Sequence, residues 1–281
     1  MDVRKFTLTN ANGVSYGLLS KSRFLHSPTG LGFTENTTYQ DFGSVFSVLD
    51  DGLEQQTISA YIVFSGSSRK AVYKSYFDFV TFCRLAPLTL EYSPIFDTFK
   101  RTCRVLSVEK SEIEAGVLEC SIKLICLSQW YKEVSAFNSG EASGGKTYSY
   151  QYNYTYSNNI AQSVVLDNDG SEESPCKIVV YGLAVNPTWY HYVNGNLYST
   201  GTANMTIAAN HKLVIDTTET PYAMKELDMS NNLIRNAYQL SDFSTERFIR
   251  LQPGKNRITL THSGSNVISI GVEGRVSYAS V

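Results

Sequence analysis

A strict alternation of apolar and polar residues recurs along this chain and limits the folds that it can adopt. Apolar side chains occupy every second position from Leu118 to Leu124, with polar side chains between them. Apolar residues also hold every second position from Ile58 to Phe64. Successive side chains of a strand point to opposite faces, so this pattern predicts β-strands with one buried face. The chain is therefore expected to be mostly β.

Turn residues separate the predicted strands. Asn12-Gly13 lies between strand-like segments 3–9 and 14–19, and Asn-Gly is the strongest short signal for a β-hairpin. Residues 112–116 predict a second hairpin, which joins a strand at 102–108 to the alternating strand that follows.

One segment has the period of a helix instead. Five apolar residues fall on one helical face, at spacings i, i+4, i+7, i+8 and i+11: Val72, Tyr76, Phe79, Val80 and Cys83. Three more aromatic residues widen the apolar sector: Tyr73, Phe77 and Phe82. One interpretation is a helix that packs on its own sheet and also against a neighbouring subunit, with these three residues as candidate interface contacts. The alternative is a helix that lies under a long loop.

A small, polar, Gly- and Ser-rich segment divides the chain. Residues 136–147 have the composition of a linker. They are predicted to separate an N-terminal β domain with one helix, residues 1–135, from an all-β C-terminal domain, residues 148–281. The strand candidates of the second domain are 163–167, 176–181, 189–193, 197–200, 204–208, 212–216, 248–252, 257–261 and 267–271. Short strands at regular spacing with turn signals between them indicate a β-sandwich.

Five tyrosines at alternate positions follow the predicted linker: Tyr148, Tyr150, Tyr152, Tyr154 and Tyr156. On a strand they would share one face. Tyrosine is common where one protein contacts another, which makes Tyr150, Tyr152 and Tyr154 candidate interface residues. The alternative is a sandwich strand that buries the rings and leaves the hydroxyls at the rim.

The composition favours an assembled protein without a nucleic-acid partner. Charged residues make up 18% of the chain and the 19 tyrosines are numerous, as in protein interfaces. An alternative explanation is that β proteins in general use more aromatic residues. The formal net charge is −2 and the basic residues are scattered, whereas nucleic-acid binding requires a concentrated basic surface.

Cysteine usage and hydropathy indicate an intracellular origin. The five cysteines are odd in number and form no Cys-x-x-Cys pair, so they are expected to be small buried hydrophobic residues in a protein made in a reducing cytoplasm. The N-terminus lacks the apolar core of a signal peptide, and no stretch approaches the ~18 apolar residues that predict a membrane helix. No membrane insertion is expected.

Motifs for catalysis are missing from the sequence. The four histidines lack partners at metal-ligand spacing, and no Gly-x-Ser-x-Gly, His-Glu-x-x-His or phosphate-loop pattern occurs. Asp167-Asn168-Asp169-Gly170 lacks full calcium-loop spacing and predicts a turn between strands. The sequence therefore predicts no catalytic, cofactor-binding or metal-binding residues, and a chain that is not an enzyme.

Segments in both predicted domains resemble, in order and spacing, the distal tail proteins (Dit) of siphovirus-type bacteriophages, which belong to the tail tip and baseplate hub. The matching segments are 28–33, with its Gly-Leu-Gly; the aromatic helix 73–85; strand 88–92; the tyrosines of 148–156; and 174–182, 186–189, 213–217 and 248–258.

The resemblance implies a fold, an assembly and partners. The N-terminal domain would be tail-tube-like and ring-forming, and the C-terminal domain a galectin-like β-sandwich. The chain would form a homohexameric ring in the virion, at the phage tail tip. The ring would join the tail-tube protein to the tail-associated tip protein and, in many phages, to the receptor-binding baseplate proteins. The family offers no catalytic residues or cofactor to carry over.

The sequence leaves two functions open as alternatives to the structural ring. The first is a carbohydrate-binding adhesin module that recognises cell-wall sugars, for which Trp130 and Trp189 would offer stacking platforms unless they are core residues. An exposed aromatic platform beside convergent polar groups would favour this function. The second is a hydrolase, which would require two carboxylates that face each other across a cleft.

Overall fold

The computed structural model describes residues 4–50, 52–95, 97–139 and 161–281. The chain divides into two compact units: unit 1 comprises Met1–Lys132 with Tyr278–Val281, and unit 2 comprises Glu133–Ser277. The predicted tyrosine ladder and most of the predicted linker lie outside the described residues.

Unit 1 consists of antiparallel strands and one α-helix. Its elements are β1 (Lys5–Thr9), β2 (Ser15–Gly17), β3 (Leu19–Ser20), β4 (Arg23–Thr29), β5 (Thr38–Asp41), β6 (Phe46–Asp50), β7 (Thr57–Ser65), α1 (Arg69–Cys83), β8 (Leu88–Ser93), β9 (Phe99–Lys110), β10 (Val117–Cys126) and the start of β11 (Trp130–Asn138). Eight strands pair side by side in the order β2-β1-β8-β9-β10-β7-β4-β3. Strands β5 and β6 form a separate two-stranded sheet within the described part of the chain.

The alternating segments form the centre of this sheet, as predicted. In the pairing of β10 with β7, Leu118 lies opposite Phe64 and Ile122 lies opposite Ala60. All four side chains are buried. The predicted turn between β9 and β10 is present, and Gly116 takes the positive φ of 83° that favours glycine.

Helix α1 covers the buried face of the sheet. The Ser68 hydroxyl caps its N-terminus by accepting a hydrogen bond from the backbone N–H of Ala71 at 3.2 Å. On the inner side, Val72, Phe79 and Cys83 are buried in the core that α1 shares with β7, β9 and β10. The helical period of the sequence therefore placed both the helix and its core face correctly.

Unit 2 is built almost entirely from strands. After the rest of β11, its elements are β12 (Gln162–Asn168), β13 (Ser174–Tyr181), β14 (Ala184–Val185), β15 (Thr188–Val193), β16 (Asn196–Thr202), β17 (Thr206–Ile207), β18 (His211–Asp216), β19 (Ala223–Asp228), β20 (Leu233–Asn236), the 3₁₀ turn η1 (Tyr238–Leu240), β21 (Arg250–Leu251), β22 (Gly254–Thr261) and β23 (Ser269–Tyr278). Three of these strands, β14, β19 and β20, were not predicted.

The strands of unit 2 form a β-sandwich. One sheet has the order β12-β22-β15-β16, and the other contains β20-β19-β18-β13-β23. Inward side chains of both sheets build a single core, to which β15 contributes Trp189, β13 contributes Ile178 and β18 contributes Ile215. Asn194-Gly195 forms the predicted β15–β16 turn, with positive φ at both residues.

The division into units differs from the predicted boundaries in two places. Residues 136–138, predicted as the start of the linker, belong to strand β11, because Ala136 packs on the core of unit 2 and the Phe137 ring meets that of Tyr181 at 5.8 Å. The last four residues belong to unit 1, where the Tyr278 ring packs edge-on against Phe99 at 5.1 Å. Unit 1 is thus formed by two separate stretches of the sequence.

Candidate assembly surfaces

Strands β5 and β6 form a hairpin that contributes no buried residue to the core of unit 1 among the described residues. We call residues 38–50 the arm. All nine strand residues of the arm are exposed. Its large apolar side chains are each 53–67% exposed: Tyr39, Phe42, Val45, Phe46, Val48 and Leu49. Because a lone two-stranded hairpin is marginally stable in water, an arm this apolar is expected to be covered by another molecule.

The turn and the charge of the arm follow from its sequence. The backbone N–H of Phe42 donates to the carbonyl of Val45 at 2.9 Å, and that of Gly43 donates to the Asp41 carboxylate at 2.6 Å. No Lys or Arg occurs anywhere in residues 24–68, which contain five acidic residues. The arm is therefore acidic as well as apolar. This long stretch without a basic residue is the sequence signal that could have identified it.

Helix α1 presents the three aromatic residues that were predicted as interface contacts in three different ways. Phe77 is 62% exposed, and its ring centroid lies 5.7 Å from that of Tyr76. Tyr73 is half-buried, and its hydroxyl donates to the Glu112 carboxylate at 3.0 Å. Phe82 is only 7% exposed and packs against the Tyr16 ring at 5.1 Å. Phe82 is thus a core residue of unit 1, and Phe77 is the ring that a neighbour could reach.

A groove beside α1 has the opposite charge to the arm. It lies between α1 and β9, has a volume of about 470 Å³, and its walls include Tyr76, Val80 and Val105. Arg84 and Arg104 are both exposed and line it, and its described lining contains no acidic residue. This groove can therefore accept an apolar partner that carries negative charge.

The candidate interface residues Tyr150, Tyr152 and Tyr154 lie outside the described residues. The candidate contacts that the structure does describe are Phe77, the arm and the groove, all of which belong to unit 1.

The tryptophans do not form a stacking platform. Trp130 and Trp189 are both 0% exposed, so they are core residues and offer no stacking platform for a sugar. The Trp130 indole N–H donates to the backbone carbonyl of Leu31 at 3.0 Å, which holds the ring in the core.

The polar residues singled out in the sequence have structural partners. The buried His191 side chain pairs with the Asn256 amide oxygen at 2.8 Å, and His211 pairs with Glu226 at 2.7 Å. The backbone N–H of Gly170 donates to the Asn168 side chain at 3.0 Å, in the predicted turn between β12 and β13. Across the described ranges, no three His, Cys, Asp or Glu side chains gather as a metal site would require.

All five cysteines are buried and free, as expected of small core residues. Burial raises the pKa of the Cys83, Cys103 and Cys176 thiols to about 12 in each case. These thiols are therefore held in their protonated, unreactive form. In the part of the chain that the structure describes, α1 is too short and too polar to cross a membrane.

Solved structures share this fold over nearly the whole chain. A chain of the phage P2 baseplate, in its activated conformation with calcium, aligns with a TM-score of 0.64 and 15% sequence identity, covering 99% of this chain and 100% of that chain. The Dit protein (gp 19.1) of phage SPP1 aligns with a TM-score of 0.64 and 10% identity, covering 96% of this chain and 98% of that one. No curated protein matches the chain in sequence.

The fold is thus a mostly β, one-helix fold of the kind found in phage tail-tip proteins. Residues 5–127 match the family model described as distal tail protein, N-terminal domain. Residues 5–127 therefore form an N-terminal domain of the distal tail protein family. The family is structural and non-enzymatic, and it confirms the prediction that the chain is not an enzyme. It also confirms the predicted location in the virion, at the tail tip.

Proposed function

We propose that the chain forms a homohexameric ring at the phage tail tip, and that the arm of one subunit docks on the next subunit. The observation that carries the proposal is the arm itself, with six large apolar side chains exposed on unit 1. Such a surface requires a partner, and a second copy of the chain offers one in the groove between α1 and β9.

The two surfaces are complementary in charge and character. Asp41 and Asp50 stand on the arm, while Arg84 and Arg104 line the groove. The exposed side chain of Leu106 adds apolar surface to the groove. Because the arm and the groove are different surfaces, the contact is heterologous, and heterologous contacts generate closed rings when the rotation between subunits closes.

The ring would link the tail-tube protein to the tail-associated tip protein and to receptor-binding proteins of the baseplate. The similar SPP1 protein is described as a paradigm of the hub adsorption apparatus in phages that infect Gram-positive bacteria, and the similar P2 chain comes from a baseplate. Both descriptions support a hub that connects other tail components.

Light scattering of the purified chain at several concentrations tests the ring. We expect a mass near six times the 31.3 kDa of one chain, and a ring in electron micrographs. A strict monomer at every concentration, also in the presence of the tail-tube protein, would contradict the proposal.

Charge reversal tests the docking contact separately. The Arg84→Glu/Arg104→Glu variant should lose the assembled mass, and adding Asp41→Lys/Asp50→Lys to the same chain should restore it. The control is Lys255→Glu/Arg257→Glu, which reverses two exposed charges of unit 2 and should assemble normally. If the Arg84→Glu/Arg104→Glu variant assembles as well as the control does, the arm does not dock in this groove.

A further inference from the structure

Unit 2 contains an aromatic trough that plays no part in the proposed ring contact. The trough has a volume of about 660 Å³ and lies between the loop before β19 and the segment around η1. The rings of Tyr222, Tyr238 and Phe248 line it. The Tyr222 side chain is 41% exposed, so one ring face is open to solvent. This volume falls within the roughly 300–1,000 Å³ typical of small-molecule sites.

The rings are fixed in place by contacts from behind and from the side. The Arg250 guanidinium donates to the Tyr222 hydroxyl at 2.9 Å, and the Arg247 guanidinium donates to the Tyr238 hydroxyl at 2.8 Å. The Phe248 ring packs on the core of unit 2. Its centroid lies 5.3 Å from that of Tyr222 and 6.1 Å from that of Tyr238. Rings held in this way lose little freedom when a ligand binds.

Charged and polar groups stand beside the rings. The Lys225 ammonium donates to the Glu219 carboxylate at 2.7 Å, and both side chains are partly open to solvent. Asn236 adds an amide to the same lining. The Arg247 Nε is buried and has no hydrogen-bond partner among the described residues. The trough therefore combines an apolar wall with donors and acceptors only a few atoms away.

This combination points to one class of ligand. A pyranose ring has a face of C–H groups, which pack on the electron-rich face of an aromatic ring, and an edge of hydroxyls, each of which both donates and accepts. The Glu219–Lys225 ion pair is partly open to solvent beside the rings, so its remaining donors and acceptors can bond hydroxyls of a ligand. The core of a protein interface is poor in charge, whereas three charged side chains line this trough: Glu219, Lys225 and Arg247.

We propose that this trough binds a saccharide, with one sugar ring stacked on Tyr222 and its hydroxyls bonded by Glu219 and Lys225. The tryptophans lie elsewhere, in the core, and the platform is made from tyrosine and phenylalanine instead. All of the lining residues belong to unit 2, whereas the arm and the groove of the proposed ring contact belong to unit 1.

Saturation-transfer NMR on the purified full chain tests the proposal, because it detects weak ligands of large proteins. The probes are the methyl glycosides of glucose, galactose, N-acetylglucosamine and rhamnose. We expect at least one to give a signal from its ring C–H protons, with millimolar affinity by titration. Tyr222→Ala should weaken that affinity at least tenfold, while Tyr222→Phe, which keeps the ring, should weaken it less than threefold.

The control variant is Tyr198→Ala, which removes a tyrosine of unit 2 that is 55% exposed and lies outside the trough. It should bind as the unchanged chain does, and circular dichroism should show that all three variants are folded. The proposal is overturned if no probe gives a signal, or if Tyr222→Ala and Tyr198→Ala affect binding equally. Either result leaves the ring unaffected, since the mass of the assembly is measured independently.

Discussion

The arm allows a test in which assembly and folding separate. Changing both Phe42 and Phe46 to serine removes two rings that are 63% and 67% exposed in the single chain. A phenylalanine offers roughly 150–200 Å² of surface, so a neighbour that covers both rings buries about 200–260 Å² of it. At about 25 cal/mol per Å², this burial stabilises each contact by about 5 kcal/mol. That loss corresponds to a decrease of more than about a thousandfold in the association constant.

The same double change should leave the single chain folded, because substitutions of exposed residues usually alter stability by less than about 0.5 kcal/mol. Light scattering over a dilution series gives the association constant, and a thermal melt gives the stability. The matched control is Leu197→Ser/Leu233→Ser, which changes two exposed apolar residues of unit 2. An assembled mass that survives dilution equally in all three proteins would refute the reasoning.

Four further outcomes follow from buried groups. Phe79→Ala leaves a cavity at a fully buried position in unit 1. Urea unfolding should show a loss of about 3–5 kcal/mol in its unfolding free energy. Phe77→Ala, on the outer side of the same helix, should lose less than about 0.5 kcal/mol. Gly201→Ala should lower the melting temperature, because the added methyl would overlap the Trp189 indole. The expected loss of unfolding free energy is at least about 1–3 kcal/mol. An unchanged melting temperature would mean that the indole ring can move aside. Burial raises the pKa of all five thiols, so mass spectrometry should find none alkylated by iodoacetamide at pH 8 in the native chain and all five alkylated in guanidinium. Burial lowers the pKa of His191 below its ordinary 6.5, so the unfolded chain binds a proton that the folded chain does not, and the unfolding free energy should fall as the pH is lowered from 7.5 to 5.0. This loss of unfolding free energy should be smaller in the His191→Gln variant. An equal loss in the variant would mean that other titrating groups cause it.

Most of the strands and the helix could be predicted because their signals are local. Three strands of unit 2 could not, and β19 shows the physical reason for one of them. Glu226 points inward there, and it is buried because it pairs with Arg235 at 2.6 Å and with His211 at 2.7 Å. A charged residue at an inward position interrupts the apolar alternation, and the partners that allow its burial come from other strands.

The candidate surfaces were harder to predict than the fold. Phe77 and Phe82 have the same side chain on the same helix, and only the packing of Tyr16 reveals that Phe82 faces inward. The aromatic trough joins residues that are more than twenty positions apart, from Glu219 to Phe248. Its members could not be grouped before the fold was known, because each is an ordinary residue in its own segment.

The return of the last four residues to unit 1 has a consequence for the order of events on the ribosome. Phe99 and Lys132 are synthesised early, but the Tyr278 ring that both contact is added only after all 145 residues of Glu133–Ser277. Unit 1 therefore cannot complete its packing as it leaves the ribosome. The surface that Tyr278 covers stays exposed until the last residues are synthesised. A stop codon after residue 277 would remove no residue of unit 2, but it would lower the stability of unit 1.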